Sequence, residues 1–157
     1  MDLYLVVKWV HILSSTILFG FGAGTAWYFW NAHLTRDPAT IAGVGRMIIR
    51  ADWIFTGTSG LVQPASGVML VHLAGYSFTA PWLLVTYALY AIAFICWVPV
   101  VWLQINAQRL AQAALDAGQP LGADYHRTMV MWFALGWPAF LGLLGIYWLM
   151  VAKPALW

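Results

Sequence analysis

Charge is scarce in this sequence. Only 8% of its 157 residues are charged, whereas soluble globular domains carry roughly 25%. Hydrophobic residues make up 63% of the chain and aromatic residues 17%. This composition excludes an ordinary soluble domain and predicts an integral membrane protein. The net charge of +2 is small, so nucleic-acid binding is not expected.

Cysteine is nearly absent as well. Cys96 is the only one and lies inside an apolar run, so the chain has neither a disulfide framework nor a CxxC metal or redox motif. The sequence also lacks a nucleophile–base pair, a carboxylate pair and a phosphate-binding loop. Hydrolytic chemistry is therefore not expected.

Long apolar runs are what the sequence has instead. Four of them, about 3–30, 53–74, 80–103 and 128–152, are long enough for a helix to cross a bilayer, which takes about 20 residues. The first run is too long for a secretory signal and lacks a basic leader, so we expect it to stay in the mature protein. The sequence predicts one domain over residues 1–157, an all-α membrane protein built as a four-transmembrane-helix bundle.

The basic residues are distributed unevenly over the connections. All five arginines lie in the first and third connections, whereas Lys8, Lys153 and the uncharged second connection fall on the other side. By the positive-inside rule, both termini are predicted to lie outside and the arginines in the cytoplasm, as in a multi-pass protein of the bacterial inner membrane.

Capping signals predict short cytoplasmic extensions of the helices. Asp37 and Pro38 are typical of a helix start, and the segment "QINAQRLAQAALDAG" continues the third helix to a C-cap at Gly118. Asp124 is expected to cap the fourth helix.

A polar stripe in the first span contains His11. Ser15 and Gly22 lie within about 40° of His11 around a helix that turns about 100° per residue, so this face should contact protein. Neutral imidazole is a ligand of haem iron. His11 is interpreted either as an axial ligand of haem b, with Gly22 leaving room for the ring and Lys8 near the propionates, or as a structural histidine bonded to a serine or a carbonyl.

A second polar stripe follows one face of the second helix. It consists of Asp52, Thr56, Ser59, Gln63 and Ser66, spaced three or four residues apart. The stripe is interpreted as the lining of a hydrated path or quinone pocket, or as interhelical hydrogen bonding alone. Gln63 is singled out because its amide has several hydrogen-bonding atoms to satisfy.

The other histidines give further candidate ligands. His72 lies near the outer end of the second span, on the same side as His11, and is either the second ligand of one porphyrin or a solvated interfacial residue. His33 and His126 form a weaker cytoplasmic pair. The arginines around them are suited to propionates or anionic lipid.

Several aromatic residues lie deep in the spans. Trp97, Trp137, Tyr87 and Tyr90 are interpreted as flanking a macrocycle, donating to a quinone, or packing in the core, since a buried indole or phenol needs a partner. Trp132 is assigned to the aromatic belt at the inner interface.

Two segments carry a resemblance to known proteins. "KWVHILSSTILFGFGAG" resembles the first helix of the four-helix membrane proteins that include the HemJ-type protoporphyrinogen oxidases and the CopD copper-resistance domain. With "RADWIFTGTSGLVQPASG", its length and its four spans, the chain is identified as a member of the predicted integral membrane protein group DUF2269. The HemJ-like pattern implies His11 as a haem b ligand. It also implies a lysine early in the third helix, where this sequence has Thr86, so protoporphyrinogen oxidation is not expected. Copper transfer is not expected either, because the chain has no cluster of Met or Cys ligands.

Three functions are open on these grounds. The first is a b-type haem protein of the membrane, acting in electron transfer or as an oxidoreductase with a quinone or a small redox partner. The second is a non-catalytic membrane subunit or lipid-binding bundle, and the third is a carrier of a small solute or metal ion. The lipid bilayer is the expected surrounding in each case, and a homo-oligomer is compatible with all three.

Overall fold

Helices account for the whole architecture. The computed structural model describes residues 2–156, and over that range it contains five α-helices, one π-helical segment and no strand. The elements are α1 Leu3–Thr35, α2 Pro38–Ala51, the π segment Asp52–Gly57, α3 Thr58–Leu73, α4 Pro81–Asp116 and α5 Ala123–Ala152. Because α2, the π segment and α3 form one run, four stretches within residues 2–156 are long and apolar enough to cross a membrane. The predicted four-helix membrane bundle is confirmed.

Local signals in the sequence set several helix ends. Asp37 caps α2 by accepting hydrogen bonds from the backbone N–H of Thr40 at 2.9 Å and of Ala39 at 3.3 Å, and Pro38 is the first helical residue. The Thr40 hydroxyl and these N–H groups hold the pKa of Asp37 below its ordinary value, because they stabilise the charged carboxylate. The predicted C-cap at Gly118 is one residue too late, because the C-cap of α4 is Ala117. Gly118 follows it with a φ of 62°, the left-handed conformation that favours glycine after a helix.

The predicted cap at Asp124 is wrong. The helix α5 begins one residue earlier, at Ala123, and its N-cap is Gly122, which offers no side-chain hydrogen bond. Asp124 therefore lies in the first turn, where its negative charge favours the positive end of the helix dipole. Its carboxylate is 3.9 Å from the Arg127 guanidinium, and such an exposed ion pair contributes little to stability.

The larger of two hydrophobic cores lies at one end of the bundle. We call it the arginine end, because it carries Arg36, Arg46, Arg50, Arg109 and Arg127. Residues from α1, α2, α4 and α5 are buried together there, namely Phe29, Ala32, Ile41, Ala42, Ile48, Leu103, Ala107, Ala111, Tyr125, Met129 and Trp132. The predicted extensions thus pack against one another. A Cβ atom on Gly45 of α2 would lie 2.8 Å from Cγ of Gln108 on α4.

The opposite end, which we call the terminal end, holds the start of α1, the α3–α4 connection and the end of α5. Its core is smaller and consists of Val71, Trp82, Leu83 and Leu149. Lys153 ties the end of α5 to the α3–α4 connection by donating to the Tyr76 hydroxyl at 3.0 Å. Between the two ends, α1 packs along α3 and α4 packs along α5. A cavity lies between these two pairs of helices.

Candidate functional site

A buried carboxyl group lies at the start of the π segment. Asp52 is only 4% exposed. Its Oδ1 atom accepts hydrogen bonds from the hydroxyls of Thr56 at 3.0 Å and Thr25 at 3.1 Å, and its Oδ2 atom accepts one from the Gln104 amide at 2.6 Å. The donors come from α1, α4 and the π segment. An ionisable group held inside a membrane bundle marks a functional site by default, because its burial is costly.

The network continues into the fourth membrane-spanning helix. The indole N–H of Trp132 donates to Oε1 of Gln104 at 3.0 Å, and both side chains are buried. One continuous set of hydrogen bonds therefore links all four membrane-spanning stretches. Its acid lies in a π-helical turn, a rare backbone form that is frequent at functional sites.

The cavity between the helix pairs begins at this network. Its volume is about 410 Å³, within the roughly 300–1,000 Å³ of small-molecule sites. Asp52, Thr25, Thr56 and Gln104 line its polar end. Ten aromatic side chains line the rest, namely Phe19, Trp27, Trp30, Tyr90, Phe94, Trp97, Trp132, Phe133, Trp137 and Phe140. The arrangement is suited to an apolar molecule with a polar edge.

Two aromatic pairs connect α1 with α5 along this cavity. Trp30 and Phe133 have ring centroids 4.8 Å apart, and those of Phe19 and Phe140 lie 5.4 Å apart. Between the pairs, both helices present small residues to the cavity, namely Gly22, Ala23 and Ala26 on α1 and Gly136 and Ala139 on α5. We call this part of the α1–α5 contact the small-residue window.

The glycines of α1 do not serve close helix packing. A Cβ atom placed on Gly20, Gly22 or Gly24 would meet no atom within 4 Å, and the same holds for Gly136. Glycine spacing of this kind in a membrane helix suggests a packing motif, but here the glycines border open space. Gly22 and Gly136 border the cavity itself.

His11 lies in a separate polar cluster toward the terminal end. Its Nδ1 atom is 2.8 Å from the Ser66 hydroxyl, and the Gln63 amide donates to the His11 carbonyl at 2.7 Å and to the Ser14 hydroxyl. The Ser66 hydroxyl donates its own proton to the Val62 carbonyl at 2.6 Å. The polar stripe of the second membrane-spanning stretch therefore faces α1 at Gln63 and Ser66, as expected for a surface that contacts protein.

The structure brings together some of the predicted site residues and separates others. Gln63 joins the His11 cluster, whereas Gly22 lines the cavity, 11 residues further along α1 or about 16 Å at 1.5 Å per residue.

Lys8 is exposed, with Nζ 5.7 Å from the centre of the Tyr4 ring. His72 is exposed as well and lies six residues beyond Ser66, about 120° around the helix. His72 thus does not lie on the face of α3 that contacts His11 through Ser66.

His33 and His126 come close at the arginine end. Their ring centroids are 6.2 Å apart, and Nδ1 of His33 is 3.0 Å from the buried Tyr125 hydroxyl. His126 is exposed. Residues 2–156 contain no group of three or more His, Cys, Asp or Glu side chains placed to hold a metal ion.

The residues that sequence reasoning missed belong to the Asp52 network. Gln104 lies just beyond the predicted third span, and Trp132, assigned to the aromatic belt, is only 5% exposed. Asp52 belongs to the polar stripe that is interpreted as the lining of a hydrated path or quinone pocket or as interhelical hydrogen bonding, but Gln63 is the residue singled out there. The signal that marks it is its chemistry, since it is an acid at the edge of a membrane span. Tyr90, Trp97 and Trp137, which the sequence places deep in the spans, line the cavity.

Comparison with known proteins gives a family but no solved relative. The model of the family described as "Predicted integral membrane protein (DUF2269)" matches residues 5–154. No curated protein and no solved structure matches the chain.

Proposed function

The chain belongs to the predicted integral membrane protein family DUF2269, and from this premise we propose that it is a b-type haem protein of the membrane that passes electrons, in which His11 would bind the haem iron. The bound haem would supply a one-electron carrier. The proposal places His11 in the outer half of a bacterial inner membrane, as the arginine distribution predicts.

The observation that carries the proposal is the hydrogen bonding of His11. Because the Ser66 hydroxyl donates to the Val62 carbonyl, it accepts from Nδ1 of His11. The imidazole then carries its proton on Nδ1 and has a lone pair on Nε2. No hydrogen bond to Nε2 is formed by residues 2–156. Metal-binding histidines characteristically donate their other ring N–H in this way, which fixes the tautomer and the ring orientation.

The surroundings of His11 fit a single protein ligand. Gln63 holds the backbone of α1 at His11 through its bond to the His11 carbonyl. Lys8 lies one turn nearer the terminal end and is exposed, so its ammonium is free to pair with an anionic group at the membrane surface. His72 faces away, and the predicted bis-histidine clamp is therefore not part of the proposal.

An absorption spectrum of the purified protein from haem-replete cells tests the proposal. We expect a Soret band and a reducible α-band, with haem content measured by pyridine haemochrome assay. His11→Ala should lose most of the haem, whereas His72→Ala should keep it. A wild-type protein without haem, or an unchanged haem content in folded His11→Ala, would overturn the proposal.

A further inference from the structure

We propose that the aromatic cavity binds the ring of an isoprenoid quinone or quinol, which enters from the lipid through the small-residue window. This site is distinct from the His11 cluster and does not depend on the haem proposal. Its lining on α1 begins at Leu18, seven residues or about 10 Å along the helix from His11.

The walls of the cavity select for a flat ring. Aromatic side chains from α1, α4 and α5 line it, and aromatic rings bind one another in offset or edge-on geometries with centroids about 4.5–7 Å apart. Trp97 and Trp137 lie on different helix walls and offer two such faces. A saturated acyl chain gains no comparable interaction from them.

The polar end of the cavity supplies partners for ring oxygens. Oδ1 of Asp52 accepts two hydrogen bonds, whereas Oδ2 accepts one, from Gln104. Oδ2 therefore retains a free acceptor position, and the Gln104 amide retains its second N–H. A quinol hydroxyl can donate to Oδ2 of Asp52, and a quinone carbonyl can accept from Gln104. Both side chains line the cavity and are at least 96% buried, so water competes weakly there.

The window explains how such a ligand enters and where its tail lies. The Trp30–Phe133 and Phe19–Phe140 pairs close the α1–α5 contact on either side. Between them, Gly22 and Gly136 leave open space. The cavity volume of about 410 Å³ accommodates a substituted ring and the start of its tail, and the remaining isoprenoid chain extends through the window into the hydrocarbon, where it is soluble.

The open space beside these glycines allows the small-residue window to be filled by substitution. A Cβ atom on Gly22 or Gly136 meets no atom within 4 Å, so a leucine at either position begins in open space beside the cavity that both residues line. Gly20 is the matched control, because it has the same open surroundings on the same helix but does not line the cavity.

The test is a titration of the purified full-length protein in detergent with decylubiquinone, followed by tryptophan fluorescence. Five of the 11 tryptophans line the cavity, so bound quinone should quench emission saturably. We expect Gly22→Leu and Gly136→Leu, made separately and checked by thermal unfolding, each to weaken the apparent affinity at least tenfold. Gly20→Leu should bind as the wild type does.

Three results would overturn the quinone site. They are the absence of saturable quenching in the wild type, equal affinity in all folded variants, and displacement of the quinone by oleate at equal concentration. The last would show that the cavity takes any acyl chain. Since the titration requires no haem, its failure leaves the His11 proposal standing, and loss of haem on His11→Ala leaves this one untouched.

Discussion

Gln104 and Asp52 are joined by a 2.6 Å hydrogen bond between side chains 52 positions apart in the sequence. The same amide group accepts from Trp132 at 3.0 Å. Gln104 therefore connects the acid of the second membrane-spanning stretch to the fourth. An amide can do this because it is both donor and acceptor, which neither a carboxylate nor an ammonium group is.

This bond should be measurable as an energetic coupling. In a double-mutant cycle of Asp52→Ala and Gln104→Ala, we expect a coupling of about 0.6–1.7 kcal/mol in the free energy of unfolding, the range found for hydrogen bonds in membrane bundles. Unfolding in mixed micelles gives the measurement. The exposed Arg46–Gln112 pair, also at 2.6 Å, serves as a control and should couple less. Equal values for the two pairs would contradict a special role for burial.

Ser66 should tune the ligand strength of His11. If His11 binds haem, Ser66→Ala removes the acceptor of the Nδ1 proton and should lower haem affinity about 10- to 100-fold, as loss of such supporting bonds does in metal sites. Ser59→Ala is the control, since Ser59 is also buried on this stripe but forms no hydrogen bond to His11. Haem transfer to apomyoglobin measures the affinity. A similar loss in both variants would indicate general destabilisation.

Lys8 should affect the potential of the haem more than its binding. Removing a positive charge near the haem favours the oxidised state, so Lys8→Gln should retain the haem and lower its midpoint potential. Lys153→Gln is a suitable control, because Lys153 already donates to Tyr76 at 3.0 Å. Redox titration followed at the α-band gives both potentials. A rise in the Lys8→Gln potential would show that the charge acts elsewhere.

Gly45 should be required for the approach of α2 to α4. A Cβ atom there would lie 2.8 Å from Cγ and 2.9 Å from Cβ of Gln108, so Gly45→Ala should destabilise the protein by about 1–3 kcal/mol, the usual cost of overpacking. Gly43→Ala, on the same helix with no atom within 4 Å, should be neutral or stabilising. Thermal unfolding of the two variants distinguishes them, and equal melting temperatures would be unexpected.

The orientation of the bundle remains a prediction from charge. Because the arginines lie in the first and third connections, reporter enzymes fused at either terminus should be active only outside the cytoplasm. Alkaline phosphatase and green fluorescent protein fusions give opposite signals and so check each other. A fluorescent C-terminal fusion would reverse the orientation and move His11 to the cytoplasmic half.

Much of the fold could be read from local sequence. Hydrophobic length identified four spans, and the Asp37-Pro38 signal identified a helix start that the structure confirms. Gly118 indicated the end of α4 to within one residue of its C-cap, Ala117. The predicted cap at Asp124 was wrong because a carboxylate near a helix start is favourable either at the N-cap or in the first turn, and sequence alone does not distinguish the two positions. Nothing in the local sequence predicts a π turn at Asp52.

The site was harder to predict because it depends on which faces meet. Helical spacing placed Ser66, Gln63 and His11 on inward faces, and the structure joins them. Spacing within one helix cannot show that Gln104 reaches Asp52, since the two lie on different helices. Helical spacing also suggested a shared role for Gly22 and His11, because it compares the angles of two residues around the helix axis and does not include their distance along that axis.

The network that joins Asp52 to the last helix bears on how the chain enters the membrane. Helices emerge from the ribosome in order, so Asp52 reaches the bilayer before Gln104, and Gln104 before Trp132. Until α4 is in place the carboxyl group has only the hydroxyls of Thr25 and Thr56 as donors and lacks the amide of Gln104, and an incompletely paired acid in hydrocarbon is costly. We therefore expect the second membrane-spanning stretch to stay near the membrane surface during synthesis. It should reach its final depth together with α4 and α5, in one assembly step.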